Sequence, residues 1–369
     1  MKKVVFLILA GTWMLFNSSC QQDSPVPQGC VKQLVEVGSS IDVATTWDSC
    51  HIYHCANFLG LNAALTIEAG TIVKFDALKG ILVQGSGNLA VMGNAEHPVI
   101  FTSSKDDNYG GDINGDGNAT SPQKGDWQSI SFGTSSGNSL DYCKIFYAGS
   151  GTAGLEQALN MGDGENNSIN NSVIAHTAGG VNQTFAALDM AWCPQSCTAQ
   201  NNTFFDNGHP VIIGISTDFD NSNVFHDPDN PAQTNVCNGI FVDVVHAPDQ
   251  ADLMTWSETE VAFVFGGWSG NSWSMDGGQG KILVLGDNVV IKFARYTTPG
   301  FSLLMPDGDI QLQNHDGTGV AFTAYTDDSL KGDTNGDGAS VGTAGYWEGI
   351  YTAGPIWFSW TNIHFATVH

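Results

Sequence analysis

Residues 65–101 hold five short apolar runs: Leu65-Thr66-Ile67-Glu68, Ile72-Val73-Lys74-Phe75, Ile81-Leu82-Val83, Leu89-Ala90-Val91 and Val99-Ile100-Phe101. Gly70, Gly80, Gly85, Gly87 and Gly93 stand between them. Short runs bounded by glycine turns predict strands, and no long stretch carries apolar residues at helical spacing. Strands this short do not make a large independent sandwich. They suit a solenoid, in which each coil buries its apolar face against the next.

The pattern continues through the middle of the chain. Ser139-Leu140-Asp141-Tyr142-Cys143-Lys144-Ile145 leads into Ala148-Gly149-Ser150-Gly151, and Ile169-Asn170-Asn171-Ser172-Val173-Ile174 leads into Ala178-Gly179-Gly180. Ala199-Gln200-Asn201-Asn202-Thr203-Phe204-Phe205 and Asp220-Asn221-Ser222-Asn223-Val224-Phe225 follow the same plan. Asn suits a solenoid corner because it tolerates left-handed φ and stacks on an Asn of the next coil. Spacings of roughly 20 to 30 residues match one coil with variable loops.

A longer repeat overlies these coils. Pro98-Val99-Ile100-Phe101-Thr102-Ser103-Ser104-Lys105-Asp106-Asp107 precedes Gly111-Asp112-Ile113-Asn114-Gly115-Asp116-Gly117 and then Asp126-Trp127. Val320-Ala321-Phe322-Thr323-Ala324-Tyr325-Thr326-Asp327-Asp328 precedes Gly332-Asp333-Thr334-Asn335-Gly336-Asp337-Gly338 and then Tyr346-Trp347. Lys74 has its echo in Lys292. The near-constant offset over so many residues marks a duplication.

These residues resemble bacterial surface proteins built of right-handed parallel β-helix repeats. The shared signature is an apolar-x-Phe-Thr-Ser strand, an Asp-Asp, an Asp-x-Asn-Gly-Asp-Gly loop and a Trp before the next strand; here the second copy has Phe322-Thr323-Ala324 in place of Phe-Thr-Ser. The resemblance covers about half of the chain beyond its leader. It implies an all-β fold, a right-handed parallel β-helix with a duplicated second partial array. It does not specify an activity, because fold and function are separable.

Within the loops, Asp112, Asn114 and Asp116 occupy positions 1, 3 and 5, and Asp333, Asn335 and Asp337 repeat them. Alternating oxygen donors can face one hard cation such as Ca2+ while Gly117 or Gly338 makes the sharp turn. The main-chain carbonyls of Asn118 and Ala339 are the next candidate ligands. An EF-hand closes its shell with a glutamate at position 12; here those positions are Gln123 and Ala344. The closing ligands are therefore expected from Asp106 and Asp107, and from Asp327 and Asp328.

The amino terminus reads as an export signal: Met1-Lys2-Lys3, an apolar run from Val4 to Phe16, then Asn17-Ser18-Ser19-Cys20. The run is shorter than the roughly 20 residues of a membrane span, and small residues before a Cys resemble a lipoprotein processing site. The expected organisation is a signal peptide (1–19), a tether (20–30) lipidated at Cys20, and a β-helix array with the first calcium loop (31–245). An irregular connection (246–280) and a second partial array with the second calcium loop (281–369) follow. The expected location is the bacterial outer membrane or cell surface. In such an oxidising setting Cys30, Cys50, Cys55, Cys193 and Cys197 are disulfide candidates, with Cys30 near enough in sequence to pair with Cys50 or Cys55.

The net charge of −25 disfavours nucleic acid, whose phosphates it repels. The resemblance raises polysaccharide chemistry, since parallel β-helices include pectin lyases and polysaccharide hydrolases. Uronate lyases use Lys or Arg against the substrate carboxylate, and none occurs between Lys144 and Lys281. A glycoside hydrolase needs two carboxylates about 5 to 10 Å apart; Asp206 and Asp227, with His209 or His226, are the pair adjacent coils would supply. Trp192, Trp256, Trp268, Trp273, Trp357 and Trp360 are candidates for stacking on sugar rings. The expected function is thus a calcium-stabilised surface lipoprotein that binds, adheres or acts as a scaffold, with glycans as possible partners. Glycoside hydrolysis through paired carboxylates is the alternative.

Overall fold

The computed structural model describes residues 30–150, 157–179, 186–243, 252–265, 273–274, 281–294, 303–305, 310–350 and 358–367; for 273–274, 303–305 and 310 it describes the backbone alone. Met1–Val31 and Lys32–His369 are two separate compact units. All described strands lie in the second.

The described residues include no helix. Strands take three faces in rotation. Gln33–Glu36, Ser40–Ile41 and Thr45–Trp47 make the first turn. His51–Cys55 then pairs in parallel with Gln33–Glu36, Leu59–Leu61 with Ser40–Ile41, and Ala64–Glu68 with Thr45–Trp47. A chain that meets the same face again at every third strand, always in parallel, is a parallel β-helix. Repetition builds sheets of seven, eleven and six strands.

Stacking in register turns the short apolar runs into continuous core ladders. On the eleven-stranded sheet Leu59, Ile81, Ile130, Leu159, Leu188, Val211, Ile240, Phe263, Ile291 and Phe322 are successive partners. Every one is buried. Register is tightly specified here, because a one-residue slip would turn each of these side chains outward.

The corners use two devices. Tyr142, Asn171 and Asn201 take left-handed φ (48°, 52° and 56°) at equivalent places in successive coils, as do Tyr147, His176 and Asp206 (63°, 57° and 52°). A separate set of buried Asn residues forms ladders. Asn167 Oδ1 accepts from both the main-chain N–H and the amide of Asn138, each at 2.9 Å. Asn223 does the same for Asn202, and Asn235 for Asn207. Each amide thus satisfies the polar backbone of a turn that water does not reach.

The second copy of the repeat is laid down on a different face. In the first copy Ile72–Phe75 and Val99–Ser103 belong to the seven-stranded sheet. Their counterparts, Val290–Phe293 and Ala321–Ala324, belong to the eleven-stranded sheet. The seven-stranded sheet ends at Thr203–Phe205, beside the antiparallel hairpin His226–Asp227/Asn230–Thr234. From Leu253–Trp256 onward the rotation runs through the eleven-stranded sheet and two three-stranded ones.

This corrects the expectation for residues 246–280. Leu253–Trp256 and Ala262–Phe265 lie inside that span and are paired strands, the latter between Gly239–Asp243 and Val290–Phe293. Those two strands are rungs of the solenoid; apart from residues 252–265 and 273–274, the span lies outside the described residues.

The cysteines also depart in part from expectation. Cys30 and Cys50 are disulfide-bonded. Cys55, Cys193 and Cys197 are buried free thiols. Cys55 points into the core, and burial pushes its thiol far up. Cys193 and Cys197 form no bridge; their thiols donate to Gly162 O (3.5 Å) and Gly164 O (3.3 Å).

Candidate metal centre in two repeated loops

Each loop leaves the solenoid after an Asp-capped turn. Asp106 accepts from Thr102 Oγ1 (2.6 Å) and from the main-chain N–H and amide of Asn108. Asp327 accepts from Thr323 Oγ1 (2.6 Å) and from the main-chain N–H and hydroxyl of Ser329. Both carboxylates are buried and closed on their own turn. They were expected as closing ligands; here both carboxylates cap their own turns.

The loop itself is wound around its first aspartate. Asp112 accepts from Gly115 N (2.7 Å) and Gly117 N (2.8 Å), and Asp333 from Gly336 N (2.7 Å) and Gly338 N (3.0 Å). Those glycines have φ of 76°, 63°, 74° and 84°, the left-handed region where a Cβ costs roughly 1–2 kcal/mol. Asn114 and Asn335 donate their amides to Asp116 and Asp337 (3.1 and 2.9 Å). Asn118 also takes left-handed φ (79°).

The second aspartate of the later pair, Asp328, turns toward its loop. Asp107 Oδ1 and Asp328 Oδ1 are both buried without a protein hydrogen-bond partner. In the second loop, oxygens of Asp328, Asp333 and Asp337 lie within 4.8 Å of one another. Asp328 Oδ2 is fixed by the main-chain N–H of Ser340 (2.7 Å) and its hydroxyl (3.1 Å). An all-oxygen set of three carboxylates fits a hard divalent cation. The first loop differs: its carboxylates form no such cluster among the described residues, and Asp116 is held by the hydroxyl of Thr120 and by Ala119 N (3.0 Å). The Thr120 bond leads the interactions that lower its carboxyl below the usual range.

A pair of buried lysines anchors the loops, and sequence reasoning missed their role. Lys74 donates to the carbonyls of Asp106 (2.9 Å) and Gly111 (2.6 Å), and Lys292 to that of Gly332 (2.6 Å). Both are fully buried. Burial pulls the Lys292 ammonium down to about 8 against the nearby charges of Asp328, Asp327 and Asp333. The signal was present: one Lys inside an apolar strand, twice, in a chain with 12 Lys and Arg residues. Trp127 and Trp347 close the insertions from the core side. They stack on Phe75 and Phe293 (4.2 and 4.1 Å) and donate to the carbonyls of Phe146 and His364.

The other candidates fare differently. Asp206 is engaged by Lys124 and His176, both at 2.7 Å, whereas Asp227 sits in the hairpin and accepts from Asp229 N. Trp256 is buried against Phe263, so it presents no face to a sugar. Trp192 is about half exposed, and Trp360 stacks on His315 at 3.8 Å. Trp268 and Trp357 lie outside the described residues, as do Cys20 and the side chain of Trp273.

The chain matches no protein-family model, and no curated protein or solved structure aligns with it significantly. The functional reading therefore rests on the fold and on the loops.

Proposed function

We propose that this protein is an exported, lipid-anchored surface scaffold whose β-helix is ordered by two calcium ions, and which binds a glycan without turning it over. One repeated observation supports the calcium reading. Asp107 and Asp328 each keep a carboxylate oxygen buried and without a protein donor. An unpaired buried polar atom costs about 1–3 kcal/mol, and more when it carries charge. A cation held by Asp328, Asp333 and Asp337, with the carbonyl of Ala339, relieves that cost and the mutual repulsion of the carboxylates. Asp107, Asp112, Asp116 and the carbonyl of Asn118 are the counterparts. The role is structural.

Binding is favoured over catalysis because Asp206 is committed to an ion pair and because the central coils have no Lys or Arg.

Saturating calcium should raise the melting temperature by roughly 5–10 °C over excess chelator, the scale for a ligand well above its Kd on a chain of this size. The double variant Asp116→Ala, Asp337→Ala should lose that difference. A melting curve indifferent to chelator would sink the calcium reading. Anchoring predicts palmitate incorporation that disappears in Cys20→Ala. Release of new reducing ends from a polysaccharide would overturn the non-catalytic reading.

A further inference from the structure

The solenoid has one break in its third face. Thr198–Gln200 is the last strand of the six-stranded sheet, and Leu253–Trp256 begins the three-stranded sheet further along. Between them runs Asp218-Phe219-Asp220. Phe219 pairs with Trp256, with its N–H on Thr255 O (3.2 Å) and its carbonyl accepting from Ser257 N (2.9 Å). Among the described residues no main-chain hydrogen bond joins this rung to Thr198–Gln200.

Side chains span the gap instead. Gln195 Nε2 donates to Asp218 Oδ2 (3.0 Å) and to Leu253 O (2.8 Å), and Gln200 Nε2 reaches Asp220 Oδ2 at 3.5 Å. The space between is a cleft of about 320 Å³, with the hydroxyls of Thr198, Thr255 and Ser257 in its walls. That is the low end of the roughly 300–1,000 Å³ range of small-ligand sites.

The wall chemistry selects the ligand. Carboxylate and amide oxygens accept hydrogen bonds, and hydroxyls both give and accept. A complementary ligand carries many hydroxyls. It is also uncharged: two carboxylates line the cleft, and the sequence from 145 to 280 has no Lys or Arg to balance an anion. We propose that this break in the ladder is a binding cleft for one neutral polyhydroxylated ring, a hexose unit of an uncharged glycan. The inference rests on the glycan-binding reading above and gives it a location.

The test uses the full chain with calcium present, on an array of neutral and uronate-containing oligosaccharides, followed by calorimetry on the strongest neutral ligand. Thr198→Trp fills the cleft from an exposed strand position, and Asp220→Asn weakens one wall. Each should reduce affinity by about tenfold or more, the loss of one hydrogen bond to a charged group, with circular dichroism and melting unchanged. If a neutral glycan binds equally well to both variants, the cleft is overturned while the binding reading stands. If no neutral glycan binds the unaltered chain, or only uronates do, the cleft proposal falls; the absence of any glycan ligand removes the wider reading as well.

Discussion

Asp337 and Asp116 hold the same place in the repeat but make different bonds. Asp337 shares a cluster with Asp328 and Asp333, whereas Asp116 is occupied by Thr120 and Ala119. The second loop is nearer to a finished site, so it should bind calcium more tightly. Calorimetry on Asp337→Asn should lose the tighter of two sites and Asp116→Asn the weaker; the reverse order would contradict this reading of the loops. Two other residues set a pH dependence. Burial works against charge on His54, but hydrogen bonds from its ring to Asp76 and Glu36 outweigh it and raise its pKa. Burial likewise pushes Glu258 up to about 7. Both folded values lie above the unfolded ones, near 6.5 and 4.5. Their stabilisation is therefore complete at low pH. It is lost from Glu258 as pH rises through about 7, and from His54 as pH rises above 6.5. At saturating calcium, unfolding free energy should decline across this range, and Glu258→Gln should flatten the decline. A slope unchanged in Glu258→Gln would remove that group from the account.

At the scale of elements, the Asn ladders are the most exposed to a single change. Asn167 donates to Ser135 O, Met161 O and Gly164 O while its oxygen serves Asn138. Asn167→Ala strands several buried backbone groups, and should cost about 1–3 kcal/mol or more in urea denaturation; a loss near zero would mean that water takes over these bonds. The Asn202–Asn223 ladder was legible in the sequence because polar Asn recurs ahead of apolar pairs, whereas Asn138, Asn167 and Asn235 stand outside the runs that showed that pattern. Strands 65–101 were legible because Gly bounds each apolar run. The loops were legible because their residues occur twice. What escaped was whatever depends on direction. Asp327 and Asp328 are adjacent, so nothing in their order tells that one caps a turn and the other faces the loop. Trp256 read as a possible sugar platform because a lone aromatic in a Gly-rich region carries no mark of burial. Lys74 read as a repeat marker because charged residues are almost never fully buried, yet loop carbonyls receive it here.

For the whole molecule, stability is shared along the axis. Each rung touches chiefly the rungs beside it, so damage should stay local. Leu188→Ala removes one fully buried step of the longest ladder and should cost about 2–5 kcal/mol. Hydrogen exchange should show lost protection in the coils of Leu159 and Val211 first, with strands near Leu59 little changed. Uniform loss across the chain would mean that the solenoid unfolds as one cooperative body.

The shift of the second copy from one sheet to another has a consequence for how such a chain can grow. A duplicated segment joined to this fold need not land on the face it came from. It needs only to begin at the right point of a turn, since its loop carries its own lysine anchor, its own tryptophan plug and its own capping aspartate. The unit of inheritance is then the coil with its insertion, and the same acidic loop can be aimed in a new direction simply by altering how many strands separate the copies.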